Sequence, residues 1–532
     1  MQADLVLYNG DIHTMDRRHP RATAVAIAGD RFVALGGDDA MRGLLKEDGR
    51  AVDLGGRTVT PGFIDAHIHF LSYGLSLREI DLVNTPTLAS AQDRVRARAA
   101  ETPAGQWLMG RGWDQSVWTD GDFPHRTDLD AITSEHPVFL RRKCGHVGWA
   151  NSTALALAGI TAQTPDPDGG EIERDEQGEP TGILKENAQE LMFKLLADPS
   201  NDEAADAVRA AMQNVHRMGI VGVHNLEGAA ALRAMQHLRQ TGELKLRVMA
   251  QVPEADLDAA IQLGLQYDLG DEILRIGAVK VFSDGALGAR TAWMVDPYEG
   301  EPDNYGIAVA DAEHMRAVVD KAVRAGFPVF THAIGDMANR VVLDAIEASR
   351  RAGIGLNLRH RIEHAQVLHP DDLDRFAALG VIASMQPIHC TQDMLLADKK
   401  LGRAQPLCAY AWRTLWDSGA IPAFGSDAPV ETPDVIQGIH AAVTRTRRRH
   451  PGGDGLDPRR AYRRPRSGVG VHGGCSLRRR RETIKGIDTP GKLADLVVLS
   501  QDIFSINPAA ILETDIVATV FGGEFVHDTG LV

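Results

Sequence analysis

His67 and His69 stand two residues apart near the end of the apolar run FIDAHIHF. In a strand, side chains at i and i+2 leave the same face, so both imidazoles point one way. Lys280 interrupts the apolar run GAVKVF, His332 ends PVFTH, His364 ends RHRIEH and Asp427 ends PAFGSD. Four imidazoles and a carboxylate at one point suit a borderline-soft divalent cation such as Zn2+. Neutral imidazoles leave most of the cation's charge to a bound water, whose pKa falls toward about 7. An ammonium at Lys280 beside such cations would be repelled and desolvated, lowering its pKa. The neutral amine can then add CO2, and the resulting carbamate has two oxygens with which to bridge two metal ions. A lone histidine on an apolar strand is most often a satisfied core residue, and a lone lysine usually snorkels to solvent. The same polar interruption near the end of several separate strands is a much poorer coincidence.

Those residues need a scaffold that gathers strand ends. Eight apolar runs qualify: 63–70, 220–226, 244–252, 276–285, 327–336, 359–366, 381–387 and 420–429. Helical patterns such as AEHMRAVVDKAVRAG and ANRVVLDAIEASRRAG lie between most of them. Strands alternating with helices, each with an apolar body and a polar C-terminal end, predict an α/β chain folded as a closed parallel (β/α)8 TIM barrel. The candidate ligands then sit on strands one, four, five, six and eight, at the face where barrels place their active sites. No GxGxxG follows the first strand, which argues against an open doubly wound sheet. The two ends of the chain, 1–60 and 485–532, carry short alternating runs with turn residues and predict a small antiparallel sheet domain built from both termini. The barrel takes 61–70 and 206–484. Residues 71–205 are too long for one crossover and are expected to be an insertion that shapes the pocket.

The chain has 532 residues, 57 Lys plus Arg against 72 Asp plus Glu, and a net charge of −15. That sign argues against general binding to a phosphate backbone. Four cysteines without CxxC spacing indicate neither a disulfide framework nor a zinc finger. The N-terminal residues lack signal-peptide character and no run of 18 apolar residues occurs, so a soluble, cytoplasmic setting is expected. One window departs from the rest: 459–481 holds nine Arg, no acid and Pro465. This is where the helix after the eighth strand is expected, yet its helical period is broken. Codons can be chosen for 459–482 so that the adjacent frame encodes an amphipathic, Ala-rich helix. Two compensating frameshifts, near Arg459 and near Glu482, would explain this, and sequencing the DNA across the window tests it. As the chain stands, 445–482 is predicted to be irregular, with the last barrel helix lost and activity compromised.

TPGFIDAHIHF, RGWDQSVW, CGHVGWANS, GAVKVFSDGALGART, THAIGD, HRIEHAQ, GSDAPV and GKLADLVVL together resemble the amidohydrolase superfamily, in its YtcJ-like branch of N-substituted formamide deformylase-like proteins. The resemblance spans nearly the whole chain. It implies a barrel with a β-sandwich formed by both termini. It also implies two divalent metals, most simply Zn2+, with His67, His69 and Asp427 on one, His332 and His364 on the other, and carboxylated Lys280 bridging. The implied reaction is hydrolysis of an amide or formamide C–N bond by a metal-bound hydroxide, with Asp427 as the catalytic proton shuttle. Trp113, Asp114, Gln115, His146, Asp284 and Arg290 are candidate substrate-binding residues by the same likeness; Trp113 could equally be core. The expected partner is a small-molecule amide, with no nucleic acid and no membrane, and a homodimer is allowed for. The rival on the same barrel is a deaminase of amino-heterocycles, which typically places Glu three residues after the fifth-strand histidine; here Gly335 stands there. A second rival is a catalytically impaired relic.

Overall fold

Short runs of Val, Ile and Ala favour extended backbone and need cover on both faces, which a parallel sheet wrapped in helices provides. A computed structural model describes residues 2–83, 85–115, 118, 122–142, 147–167, 170–196, 199–288, 290–391, 408–446 and 489–531. Its central sheet has eight strands: β1 (Phe63–Ile68), β2 (Ile220–Asn225), β3 (Arg247–Pro253), β4 (Leu274–Phe282), β5 (Val329–Ala333), β6 (Arg361–His364), β7 (Ile382–Met385) and β8 (Ile421–Phe424). They pair in chain order, all parallel. The first and last strands meet at their exits, where Asp427 N donates to His67 O at 2.7 Å and His69 N donates to Ala428 O at 2.9 Å. Gly425 permits that approach, because a Cβ there would lie 2.5 Å from His67 N. The predicted TIM barrel is therefore observed.

The helices follow the amphipathic pattern. The one before β5, Ala312–Arg324, buries Met315, Val318, Val319, Ala322 and Val323, one stripe at 3.6 spacing, and Asp311 caps it by accepting from His314 N. The helix before β6, Asp336–Arg351, buries Val342 and Ile346 against Val329 and Ile362 in the same core. Trp412 and Leu415 continue that core beside β8.

One expectation is corrected here. A helix follows β8 directly, at Val435–Thr444, started by Asp434, whose side chain accepts from Ile436 N and Gln437 N. The cap and the apolar VIQGIHAAV start this helix upstream of the arginine-rich window, and it packs against the turn Pro508–Glu513. The 459–481 segment itself lies outside the described residues, as does most of 445–482.

Two further sheets complete this unit, and both differ from a single antiparallel sheet. One is ordered Arg31–Gly36, Ala24–Ala28, Ala3–Tyr8, Leu45–Asp53, with the last pair parallel. The other runs Glu524–Asp528, Ile516–Phe521, Leu496–Leu499, Thr58–Pro61, Asp11–His13, Arg21–Ala22 and so interleaves both ends of the chain. Leu5, Val25 and Ile27 from one sheet and Val59, Leu496 and Val520 from the other share a core, which makes a β-sandwich. It is fastened to the barrel by Arg247 at the start of β3, whose Nη2 donates to Asp495 Oδ1 at 2.8 Å in a buried pair.

Residues 74–207 form a separate compact unit. Its mixed sheet is ordered Gly170–Arg174, Pro180–Glu186, Val147–Ala150, Val138–Arg142, Leu108–Trp113, Ile80–Asp81. Trp113, Trp118 and Trp149 lie in its core with Val138 and Ile183.

Candidate metal centre

The exits of β1, β6 and β8 bring His67, His69, His364 and Asp427 together. His67 Nε2 lies 3.2 Å and His69 Nε2 3.4 Å from Asp427 Oδ1. Two ligands of a tetrahedral cation with bonds of about 2.0–2.1 Å stand about 3.3 Å apart, so this spacing already fits one. The His364 ring is 4.8 Å from that of His67 and 4.5 Å from that of His332, centroid to centroid. His364, Asp427 and a residue not foreseen, His389, form a second group whose ligand atoms lie within 4.8 Å of one another. His364 at φ +69° and Asp427 at φ +62° both hold left-handed backbone, a conformation that costs about 1–3 kcal/mol for a residue other than glycine and clusters at functional sites.

Three of the imidazoles have one nitrogen tied to the protein. His67 Nδ1 is 2.5 Å from Glu363 Oε2. His364 Nδ1 is 2.9 Å from Gln386 Oε1, and His332 Nε2 is 3.0 Å from the Gly285 carbonyl. In each case the ring N–H donates to an oxygen, so the other nitrogen keeps its lone pair. This is how metal-binding histidines are held in orientation and tautomer. The donor set therefore fits a divalent cation of zinc type.

Electrostatics agree. Burial drives His332 down to about 3, helped by the neighbouring Lys280 ammonium, and drives His364 well below the usual histidine range. Both imidazoles are thereby held in the neutral form. Burial alone would raise Asp427, but His67, His69 and His364 around it hold it well below the usual carboxylate range. Lys280 is 4% exposed. Burial brings its amine down to about 8, although Glu363 and Asp427 pull the other way. Its Nζ lies 4.6 Å over the Phe282 ring, and the His332 ring lies 5.3 Å from that of Phe282, centroid to centroid.

Glu363 was not among the expected site residues. It is fully buried, paired with the equally buried Arg361 and with His67. Burial would raise it, but those two partners hold it at about 2. The signal lay in RHRIEH: Arg361 and Glu363, at i and i+2, share one face of a strand that has no solvent side. His389 had a weaker signal, as the first imidazole after β7.

The remaining expected residues lie in different settings. Asp284 is buried beside His332, its Oδ1 3.5 Å from His332 Nε2. It accepts from Trp293 N, Ile334 N and Gly335 N at 2.8–3.0 Å, and burial raises it to about 7 against those donors. It ties the segment after β4 to the start of the helix after β5. Arg290, at φ +58°, pairs with Glu301. In the 74–207 unit, Trp113 has no exposed surface and its Nε1 donates to Leu140 O at 2.8 Å, a packing place. Arg142 clasps both neighbours, with Nη2 to Asp114 Oδ1 and Nε to Gln115 Oε1, each at 2.7 Å. His146 lies outside the described residues.

Comparison with known proteins agrees with this architecture. The Amidohydrolase family matches residues 50–527. The Bacillus subtilis protein named "Putative amidohydrolase YtcJ" is 32% identical, over 98% of this chain and 99% of its own. N-substituted formamide deformylase of Arthrobacter pascens is 29% identical over 83% of this chain and 84% of its own. Among solved structures, an uncharacterised metal-dependent hydrolase of Pyrococcus furiosus aligns with a TM-score of 0.77 at 29% identity, covering 94% of this chain and 99% of its own. A strand-end cage of this composition and a family match of this extent lead to one assignment: the chain belongs to the amidohydrolase family.

Proposed function

We propose that this chain is a metal-dependent hydrolase that cleaves the C–N bond of a small amide or formamide. The observation that carries this reading is the set of three imidazoles, each tied through one nitrogen, with a ligand carboxylate among them. His67, His69 and Asp427 would hold one cation, and His332 and His364 a second, with Lys280 as a carbamate between them; zinc suits the donors. Bound divalent metal supplies Lewis acidity, which lets water ionise near neutral pH and polarises a carbonyl oxygen. The protein's own groups do the rest. Asp427, ionised and buried, takes the proton from the attacking water and returns it to the departing amine nitrogen. Glu363 keeps His67 in one tautomer throughout. Lys280, at about 8, is neutral often enough near neutral pH to react with CO2. Phe282, 46% exposed at the end of β4, offers apolar surface for a substituent on the amide. The similarity to the formamide deformylase supports this class of small-molecule substrate, and that to the metal-dependent hydrolase supports the need for metal; the enzyme is taken to be cytoplasmic.

The deaminase alternative is disfavoured at one position. A Cβ on Gly335 would lie 2.0 Å from Trp293 O, so a carboxylate-bearing side chain has no room there.

The test is amine release from a panel of N-substituted formamides and N-acyl amines. Wild-type protein should turn over at least one of them. Chelation should stop the reaction, and added metal should restore it. Asp427→Asn should reduce turnover by about 10²-fold or more, in keeping with loss of a general acid–base group, while the melting temperature stays within a few degrees. Turnover near the wild-type rate in that variant would remove Asp427 from the mechanism.

A further inference from the structure

We propose that His389 is a ligand of the second cation, binding it together with His364 and the Oδ2 side of Asp427. The assignment rests on the two-cation reading above. It starts from the way Asp427 is divided. Its Oδ1 faces His67 and His69 at 3.2 and 3.4 Å, whereas its Oδ2 faces His389, whose Nε2 is 3.7 Å away. One carboxylate thus turns its two oxygens to two different sets of imidazoles. His389 Nε2 is buried and has no hydrogen-bond partner among the described residues. Leaving such a nitrogen unmatched is unfavourable, and at 3.7 Å the contact with Oδ2 is too long for a hydrogen bond. A cation between them resolves both facts. The His364 ring is parallel to that of His389, with centroids 6.1 Å apart and planes 9° from each other. Since the His364 Nδ1 is engaged by Gln386, its Nε2 is the nitrogen left to join the group. The three ligand atoms lie within 4.8 Å of one another, and a shift of a few tenths of an ångström would bring His389 and Asp427 to the spacing already present at His67 and His69.

Chelator-stripped wild type and His389→Ala, titrated with Co2+, separate the outcomes. Calorimetry and visible absorption read the binding, and metal analysis after desalting counts the equivalents. The wild type should take two equivalents. The variant should take the first unchanged and bind the second at least about tenfold more weakly, since even outer-shell changes cost that much. His389→Asp, which returns a ligand oxygen, should recover the second equivalent. Should the alanine variant not fold, His389→Asn keeps most of the volume and is read in the same way. Two equivalents bound at wild-type affinity by the alanine or asparagine variant overturn the assignment; if turnover is lost at the same time, His389 serves the substrate instead. A wild type that takes one equivalent, unchanged in the variant, overturns it as well. A wild type that binds two cations through His389 yet hydrolyses no amide would leave the ligand assignment standing and sink the hydrolase reading.

Discussion

Glu363 shows how much of a metal site is invisible in its ligands. Its carboxylate is shared between Arg361 and His67, all buried within the barrel. Replacing it by Gln keeps the volume and removes the charge. His67 and Arg361 then share one neutral amide oxygen in place of a carboxylate, the charge-assisted hold on the His67 Nδ1–H is lost, and metal affinity should fall by about 10–100-fold. Arg361, stacked 4.6 Å over Phe330, becomes a buried guanidinium without its carboxylate, a loss of about 3–5 kcal/mol in stability. Both should appear in Glu363→Gln: weaker retention of metal on dialysis and a lower denaturation midpoint. Unaltered metal retention would deny Glu363 the orienting role.

Strand exits place the chemistry, and the segments after them hold it in register. Asp284 is the tie after β4, accepting one backbone N–H group from its own segment and two from the segment after β5. Asp284→Ala strands those donors in the interior at about 1–3 kcal/mol each. The segment should loosen where it meets His332, whose Nε2 donates to Gly285 O. The expected result is a drop in stability of several kcal/mol and faster amide hydrogen exchange over 284–295, with exchange in β1 unaltered. Uniform acceleration through the barrel would instead mean general destabilisation.

Across the whole barrel-and-sandwich unit, stability depends on a few buried polar contacts between its parts. Arg247 and Asp495 are both nearly enclosed, so Asp495→Ala leaves an uncompensated charge and should cost about 3–5 kcal/mol, measurable by urea denaturation. Stability should also depend on pH through buried neutral histidines. His216 Nε2 donates to Lys245 O at 2.9 Å, and Thr519 of the sandwich donates to His216 O. Burial lowers His216 to about 4, only partly offset by that hydrogen bond, and lowers His360 to about 3. In the unfolded chain both titrate near 6.5, so between pH 6.5 and about 4 the unfolded state binds more protons. Their contribution is complete above pH 6.5 and is lost as pH falls toward 4 for His216 and toward 3 for His360, roughly 3 kcal/mol for His216. Subtracting the profile of His216→Gln from that of wild type should give a difference that shrinks on acidification through this window; a difference independent of pH would refute it.

Much of the chemical inventory is local information. His67 and His69 are two apart on an apolar run, and Lys280, His332, His364 and Asp427 each sit near the end of another; period and position suffice to read those. The eight strands and the terminal sheet domain are legible for the same reason, because the pattern within each element is set by what its own faces must bury. The tertiary structure alone decided the partnerships. Glu363 meets His67 across 296 positions of sequence, and Asp427 turns one oxygen to His69 and the other to His389. It also put a helix directly after β8 and enclosed Trp113 among other tryptophans. The contacts at the strand ends exist because the barrel closes, bringing the first strand against the last, and no periodicity in a single segment encodes which buried groups will then face one another.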